Sequence, residues 1–433
     1  MVDAAIPSPH LPAGAETAAS GLLAGLSGGL DSTVLLHLLA AAPGLSHLPL
    51  RALHVCHGLD PAAERWIAHC QAACEALSVP LEVVRVEVAR DSGLGLEGAA
   101  RAVRHAAFEA RLGAGEVLVL GHHADDQAET FLLRALRASG PDGLAAMSPW
   151  RRHASGWLWR PLLGHSRDAL LAHARRHGLR WIDDPSNADT SLDRNFLRHE
   201  VMPLLRRRWP GTDAAFARSA ALCAEASGLL DDEDARALAA ALASADTVRV
   251  DALAMHPPAR RARVLRRWCA GLGLPPLPGN GVAHIENDLL QAAADSDAAF
   301  EWSGARVRRW RNLLHAGPAH AALPADWNET WTGEHPLALP GGGTLRLLGA
   351  ERFDVAVRVH ARQGGERIRL PGRDHHHALK HVLQERGVPP WLRERLPLLS
   401  AGDGSVLAAG DLALADGFDQ WLRGHGASIA WQP

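Results

Sequence analysis

Residues 22–36 read Leu-Leu-Ala-Gly-Leu-Ser-Gly-Gly-Leu-Asp-Ser-Thr-Val-Leu-Leu, and this stretch determines the fold of the N-terminal half. The apolar run 22–26 predicts a buried strand, and the Leu/Ala-rich run after residue 32 predicts a helix. Two glycines between them allow a sharp turn and a close approach to a ligand. Amides in such a turn, at a helix N-terminus, favour an anion. A plain strand–helix turn is the alternative, but the full pattern favours a phosphate loop in which Ser27 and Ser32 donate hydroxyls.

The chain that follows alternates between strand and helix patterns. Strands are predicted at 50–56, 81–88 and 116–120, and helices at 62–77 and 99–111. This alternation predicts a doubly wound parallel sheet of the α/β class with helices on both faces. Ligands of such sheets bind beyond the carboxyl ends of the strands, where the phosphate loop already lies.

The segment 121–130 reads Gly-His-His-Ala-Asp-Asp-Gln-Ala-Glu-Thr at the end of the fourth predicted strand. Asp126 and Glu129 are three residues apart and share one helix face. Acidic residues at a helix start also interact favourably with the helix dipole. The alternative is therefore that these carboxylates are solvent-exposed capping residues that bind no ligand. Because Asp31 lies at the same sheet end, we favour a Mg²⁺–phosphate site with Asp31 and Asp126 as ligands. Zinc on His122 and His123 is disfavoured, because adjacent side chains at a strand end point apart.

The Ser-Gly-Gly-x-Asp-Ser string resembles the pyrophosphate loop of the ATP-pyrophosphatase family, whose members cleave ATP between the α- and β-phosphates to adenylate a substrate oxygen. The segment 122–130, together with residues 53–59 and 96–101, is similar to one branch of that family, the bacterial tRNA(Ile)-lysidine synthetases. The chain departs from this branch at Asp60, where we expect arginine, and at His381, where we expect lysine.

This resemblance implies a ligase that uses ATP and Mg²⁺ to join free L-lysine to carbon 2 of the wobble cytidine in a tRNA(Ile) with a CAU anticodon. The cytidine oxygen is first adenylated with release of pyrophosphate, and lysine then displaces AMP. The amine must lose a proton, so a carboxylate, His57, His122 or His123 is a candidate base. The cytidine must also be unstacked from its loop.

The residues expected to carry this activity form three groups. The ATP-binding group is Ser27, Gly28, Gly29, Leu30, Asp31 and Ser32. The catalytic group is Asp31, Asp126, Glu129 and Arg194. The group that binds tRNA or lysine is His57, Glu97, Arg101, His122, His123, Arg194, Arg198 and Lys380.

Arg194 and Arg198 are four residues apart and project from one face of a predicted helix. Paired arginines are often an ordinary surface stripe, but guanidinium groups at fixed spacing also suit phosphate or a base edge. We favour the RNA interpretation because these residues lie within the resemblance. The run of histidines 375–377 does not predict a metal site, because adjacent residues do not converge on one ion.

Composition breaks divide the chain into four predicted segments, and the roles given to them here are what the resemblance implies. These are a catalytic ATP-pyrophosphatase domain (1–210), a helical tRNA-binding domain (211–316), a linker and hairpin region (317–360) and a small α+β C-terminal tRNA-binding domain (361–433). Trp209-Pro210-Gly211 marks the first boundary. Residues 213–315 are Ala-rich and predict helices, and Gly341-Gly342-Gly343 predicts a hairpin.

The bulk composition is that of a globular protein, with 433 residues, 47% hydrophobic and 21% charged. The formal net charge of −3 means that RNA must be bound by local cationic patches. Five cysteines without metal-ligand spacing predict reduced thiols and a cytoplasmic protein. The sequence predicts neither a signal peptide nor a membrane span. A second copy of the chain, forming a homodimer, is a further candidate partner.

Three other functions use the same loop. A tRNA thiolase would need a persulfide-bearing cysteine or a cluster, and the unpaired cysteines on predicted helices and strands argue against it. An ATP-sensing or RNA-binding module without turnover would tolerate the loss of Asp31 or Asp126. An amidotransferase-linked synthetase would need a glutaminase region, which the sequence does not suggest.

Overall fold

The computed structural model describes residues 6–15, 19–57, 63–88, 95–292, 298–319 and 321–432. The chain divides into two compact units, Met1–Asp231 and Asp232–Pro433. No helix in the described ranges is long and apolar enough to cross a membrane.

The first unit is built on one six-stranded sheet. Its strands are β1 (Gly21–Gly25), β2 (Leu50–Cys56), β3 (Leu81–Arg85), β4 (Glu116–Val119), β5 (Trp150–His153) and β6 (Gly156–Trp159). The spatial order is β3-β2-β1-β4-β6-β5, and all neighbours run parallel except the edge strand β5. The predicted doubly wound parallel sheet is confirmed, with β5 and β6 as an addition.

The helices of the chain's first half connect and follow these strands. They are α1 (Leu30–Ala40), α2 (Ala63–Ala76), α3 (Gly95–Arg111), α4 (Ala124–Leu136), α5 (Pro141–Leu144), α6 (Arg167–Arg176), α7 (Asp193–Phe196), α8 (Met202–Arg208) and α9 (Thr212–Ala241). A π-helical turn, Leu197–Val201, joins α7 to α8.

Alternation of side chains along the strands produces a three-layer packing. Leu22 and Ala24 face a core that also contains Val34 of α1 and Leu170 of α6. The intervening Leu23 faces the opposite core with Phe108 of α3. Successive strand side chains point to opposite faces, so a sheet buried on both sides needs an unbroken apolar run. This packing places the carboxyl ends of β1 and β4 side by side.

The second unit contains more strand than the sequence suggests. Its helices are α10 (Val250–Ala254), α11 (Pro258–Gly271), α12 (Gly279–His284), α13 (Leu379–Glu385), α14 (Pro390–Arg393) and α15 (Asp416–Gly424). Its strands are β7 (Leu242–Ser244), β8 (Thr247–Arg249), β9 (Ala299–Trp302), β10 (Ala305–Trp310), β11 (Leu313–Pro318), β12 (Asn328–Trp331), β13 (Leu337–Ala338), β14 (Thr344–Leu348), β15 (Val357–His360), β16 (Arg367–Ile368), β17 (His377–Ala378), β18 (Leu398–Ser400), β19 (Val406–Ala409), β20 (Ala413–Leu414) and β21 (Ser428–Gln432).

These strands correct one part of the sequence prediction. The region 213–315 contains the predicted helices, but it also contributes to a five-stranded antiparallel sheet of order β7-β8-β11-β10-β9. The start of the predicted linker region, Gly317 and Pro318, belongs to β11. The predicted hairpin at Gly341–Gly343 is confirmed, because β13 and β14 pair across it. The C-terminal part combines small sheets with three short helices, as the α+β prediction requires.

Candidate active site

The phosphate loop turns between β1 and α1 through a residue that must be glycine. Gly28 has φ +83°, a conformation that side chains other than glycine rarely adopt, and Cys70 Sγ would lie 3.1 Å from an added Cβ. The Leu30, Asp31 and Ser32 amides begin α1, and no described residue accepts a hydrogen bond from them. Such amides at a helix start are free for an anion.

The hydroxyls of Ser27 and Ser32 are within hydrogen-bond distance of each other. Their hydroxyl oxygens are 3.0 Å apart, and Ser32 Oγ also donates to the Gly29 carbonyl at 3.1 Å. The Ser27 and Gly29 amides donate to the Ser32 and Ser27 hydroxyls at 3.2 and 3.3 Å. The hydroxyls therefore stabilise the turn of the loop in this structure, whereas the sequence pattern predicts that they donate to phosphate. The Ser27 and Gly29 amides are likewise occupied.

Asp31 has one carboxylate oxygen suited to a cation. Its Oδ1 is buried and accepts no hydrogen bond from the described residues, and Oδ2 lies 3.6 Å from His123 Nε2. The end of β4 approaches closely here, because a Cβ on Gly121 would stand 3.0 Å from the Asp31 carbonyl oxygen. An orphaned carboxylate oxygen at the loop fits an oxygen-ligated Mg²⁺.

His123 lies among three carboxylates at the end of β4. Its Nδ1 is 3.4 Å from Asp125, and its Nε2 is 3.4 Å from Asp126. Burial opposes a charge on the ring, but Asp125, Asp31 and Asp126 outweigh it and raise the pKa of His123 to about 10. Although burial favours the protonated acid, His123 and the Arg167 amide hold the pKa of Asp125 down at about 2. The three carboxylates therefore favour the charged form of His123 over the neutral form.

The two predicted arginines meet the two predicted carboxylates. Arg194 donates to Glu129 at 2.8 Å and to Asp126 at 3.1 Å, and Arg198 donates to Glu129 at 2.7 Å and to Asp126 at 3.1 Å. The Glu129 side chain is only 1% exposed, whereas the arginines are 24% and 27% exposed. Glu129 is thus enclosed by protein, and the arginines retain an open side.

His122 is held as a neutral ring. Arg160 donates its Nε–H to His122 Nδ1 at 3.2 Å, so the ring proton lies on Nε2. Burial, together with the nearby charges of Arg160, Arg194 and Arg101, lowers the pKa of His122 to about 3, although Asp126 opposes this. His122 is therefore a hydrogen-bond donor and a poor base.

The remaining predicted residues are placed as follows. His57 directly follows β2, and its Nδ1 is buried without a hydrogen-bond partner among the described residues. Burial and the Arg104 charge lower the pKa of His57. Lys380 is exposed on α13 in the second unit. Asp60 and the side chain of Glu97 lie outside the described residues. His381 follows Lys380 and is also exposed.

Sequence reasoning missed three residues of this site. Arg160 orients His122, and Gly121 permits the close approach to Asp31. Arg206 donates to Asp125 at 2.8 Å and so extends the charge network. A lone arginine far along the chain carries no local pattern, but the glycine directly after an apolar strand could have been read as a close backbone approach.

The described part of the chain also shows how its potential metal ligands and its cysteines are arranged. No group of three or more His, Cys, Asp or Glu side chains there has the arrangement of a metal centre. All five cysteines are free, and four of them, Cys56, Cys70, Cys74 and Cys269, are buried. Burial raises the pKa of Cys70 and Cys269 to about 12, which makes these thiols unreactive.

Three family models match the chain in sequence order. Residues 10–205 match a PP-loop domain, residues 249–315 a TilS substrate binding domain, and residues 357–431 a TilS substrate C-terminal domain. The tRNA(Ile)-lysidine synthase of Xanthomonas axonopodis pv. citri is 55% identical over 98% of this chain and 96% of its own length.

The chain belongs to the tRNA(Ile)-lysidine synthase family. Similar proteins of that name from Xylella fastidiosa (strain Temecula1) and Alkalilimnicola ehrlichii are 50% and 42% identical. They are matched over 99% and 92% of this chain and over 96% and 91% of their own lengths. The predicted family is therefore confirmed, and the loop, the His123 cluster and the arginine pair all lie within the PP-loop match.

Proposed function

We propose that this chain is a cytoplasmic tRNA(Ile)-lysidine synthetase, a ligase that joins free L-lysine to carbon 2 of the wobble cytidine in a CAU anticodon. The observation that carries the proposal is a phosphate loop with unpartnered amides at the start of α1, followed along the chain by a buried carboxylate–arginine cluster, in a chain of this family. A homodimer stays a prediction.

The loop residues Ser27 to Ser32 would bind the phosphates of ATP through the free amides at the start of α1. Asp31 and Asp126 would hold Mg²⁺, which when bound neutralises phosphate charge. Asp31 offers the unpartnered oxygen Oδ1. Asp126 would have to exchange part of its contact with Arg194 and Arg198.

Activation of the cytidine places negative charge on the phosphates as the oxygen attacks. Arg194 and Arg198, anchored by Glu129 and partly exposed, can stabilise that charge or bind the RNA backbone. His122 can donate its Nε2–H to a carbonyl or phosphate oxygen. Glu97, Arg101 and Lys380 are further proposed contacts to tRNA or lysine.

The lysine amine must lose its proton before or as it displaces AMP. The carboxylates around His123 favour its protonated form, and His122 already accepts a hydrogen bond at Nδ1. Of the four candidates, the structure therefore favours His57 or a carboxylate, because His57 Nδ1 is unpartnered.

The test is an assay with labelled lysine, ATP and a tRNA(Ile) transcript with a CAU anticodon. We expect the label to enter the RNA with release of AMP and pyrophosphate. Asp31→Asn should slow pyrophosphate release by about 100-fold or more, since a preorganised charge at the phosphates is lost. Asp168→Asn, an exposed acid in the first turn of α6, is the matched control and should behave as wild type.

Two outcomes would contradict the proposal. ATP cleavage without label in the RNA would point to a different nucleophile. Unchanged pyrophosphate release in Asp31→Asn would remove that carboxylate from the mechanism.

A further inference from the structure

The second unit contains a cavity of about 640 Å³ that the proposed reaction does not use. One wall comes from the antiparallel sheet through β10 and β11, and the other from the residues around α14. The cavity thus joins the matched substrate binding region, 249–315, to the matched C-terminal region, 357–431.

An ion pair joins the two walls, with its arginine buried and its glutamate side chain 37% exposed. Arg308 of β10 donates two parallel hydrogen bonds, both 3.0 Å, to the Glu394 carboxylate that follows α14. The Arg308 side chain is only 5% exposed. Bidentate pairs of this kind fix geometry as well as charge, so the cavity is preorganised.

The interior is aromatic. Trp391 stacks on His315 with ring centroids 4.3 Å apart and planes 15° apart. Trp310 meets Trp391 edge-on at 6.1 Å. His315 also lies 3.3 Å from the Asp246 carboxylate, which supplies a hydrogen-bond acceptor at the wall. Flat rings with a polar acceptor beside them suit a heteroaromatic base better than an aliphatic ligand.

Arginines outnumber carboxylates in the cavity lining, where Asp246 and Glu394 are the acids. Arg306 and Arg395 line the cavity, and the Arg311 guanidinium lies 4.5 Å over the Trp310 ring. Burial and the charges of Arg362 and Arg311 lower the pKa of Arg393 on α14. The cavity lining itself carries three arginines and two carboxylates, and this excess of positive charge attracts an anion.

We propose that this cavity binds one unpaired nucleotide of the tRNA, with the base on the Trp310–Trp391 surface and the phosphate against the arginines. The proposal rests on the proposed tRNA substrate. Stacking on aromatic rings within an arginine-lined groove is the chemistry by which proteins hold single-stranded nucleic acid. A base within a duplex presents only its edges, and a volume of 640 Å³ is of the size of a ligand pocket.

The test measures binding without turnover. Labelled tRNA(Ile) transcript is titrated with the full chain by filter binding, in the absence of lysine and ATP. Trp391→Leu should raise the Kd for tRNA by about 10-fold or more, because one base–aromatic stack is lost. Trp310→Leu should weaken binding in the same direction, and the KM for ATP should stay at the wild-type value in both.

Trp209→Leu is the matched control, since Trp209 is an exposed tryptophan of the first unit with the Arg208 guanidinium 5.5 Å from its ring. If Trp391→Leu and Trp310→Leu, with unchanged melting temperatures, bind tRNA as tightly as Trp209→Leu, the proposal is wrong. A second outcome would also overturn the proposal. If the protein binds AMP and Trp391→Leu abolishes this binding without changing the affinity for tRNA, the cavity binds a free nucleotide. Failure of lysine transfer would contradict the proposed function alone, because the Kd comparison does not depend on it.

Discussion

Glu129 illustrates how one residue organises the site. Its carboxylate is 1% exposed and lies against two guanidinium groups, so its charge is required even though water does not reach it. Glu129→Gln keeps the shape but leaves two partly buried cations without their main counter-charge. Breaking one side of a buried pair costs about 3 kcal/mol or more. We expect a loss of that size in urea unfolding and, with it, loss of pyrophosphate release.

The matched control is Asp193→Asn, which removes the partner of Arg137 from a pair whose side chains are 70% and 76% exposed. Exposed pairs contribute little, so this change should cost about 0.5 kcal/mol or less. Equal losses in the two variants would mean that Glu129 does not anchor the arginines.

The sequence predicts the four residues of the carboxylate–arginine cluster, but it does not predict which of them contact each other. Spacing placed Asp126 and Glu129 on one helix face, and Arg194 and Arg198 on another. That these two faces meet is a tertiary contact between residues more than 60 positions apart, which no local pattern encodes. The sequence predicts that the serine hydroxyls donate to phosphate, because a sequence shows which donors are present but not which partners they have in the fold.

Helices α1 and α6 meet at three histidines. His37 Nδ1 and His173 Nε2 are 3.2 Å apart, and the His177 ring lies 4.4 Å from that of His173. Burial, followed by the charges of His177 and His37, lowers the pKa of His173 to about 4. His173 is therefore neutral in the folded chain but titrates near 6.5 when unfolded.

This depressed pKa predicts a loss of stability in acid. Above pH 6.5 the His173 ring is neutral in both the folded and the unfolded chain. Between pH 6.5 and 4 the ring is protonated in the unfolded chain but stays neutral in the folded chain. The stability contribution, at most about 3 kcal/mol, is lost across that window. His173→Gln should flatten the dependence of the urea midpoint on pH between 7 and 4, whereas His47→Gln, at an exposed position, should keep it. A wild-type slope in His173→Gln would exclude this histidine as its source.

The elements themselves were predictable where the chain alternates buried strand and amphipathic helix. β2 falls at the predicted residues because apolar side chains predominate over 50–56, although Arg51 and His54 interrupt them. β5 and β6 were missed because Trp-Arg-Arg-His and Gly-Trp-Leu-Trp are short and carry no β-branched residue. The sheet within 213–315 was hidden by alanine-rich composition, and its strands are stabilised by pairing with chain that is distant in sequence.

On the scale of the whole molecule, each unit has hydrophobic cores of its own. The cores of the first unit contain residues such as Leu36 and Leu118, and those of the second contain Leu265 and Leu399. Since the residues of the proposed ATP site lie in the first unit, bound ATP should stabilise that unit against unfolding.

ATP with Mg²⁺ at 100 times its Kd should stabilise the first unit by about 2.7 kcal/mol, because ligand bound to the folded state alone shifts unfolding by mass action. Hydrogen exchange should therefore slow in peptides around Leu36 and Leu118 and stay unchanged around Leu265 and Leu399. Asp31→Asn should remove the effect, because it weakens the phosphate site without altering either core. Equal protection of the second unit's peptides would show that the two cores unfold together, and protection that persists in Asp31→Asn would place the nucleotide away from the loop.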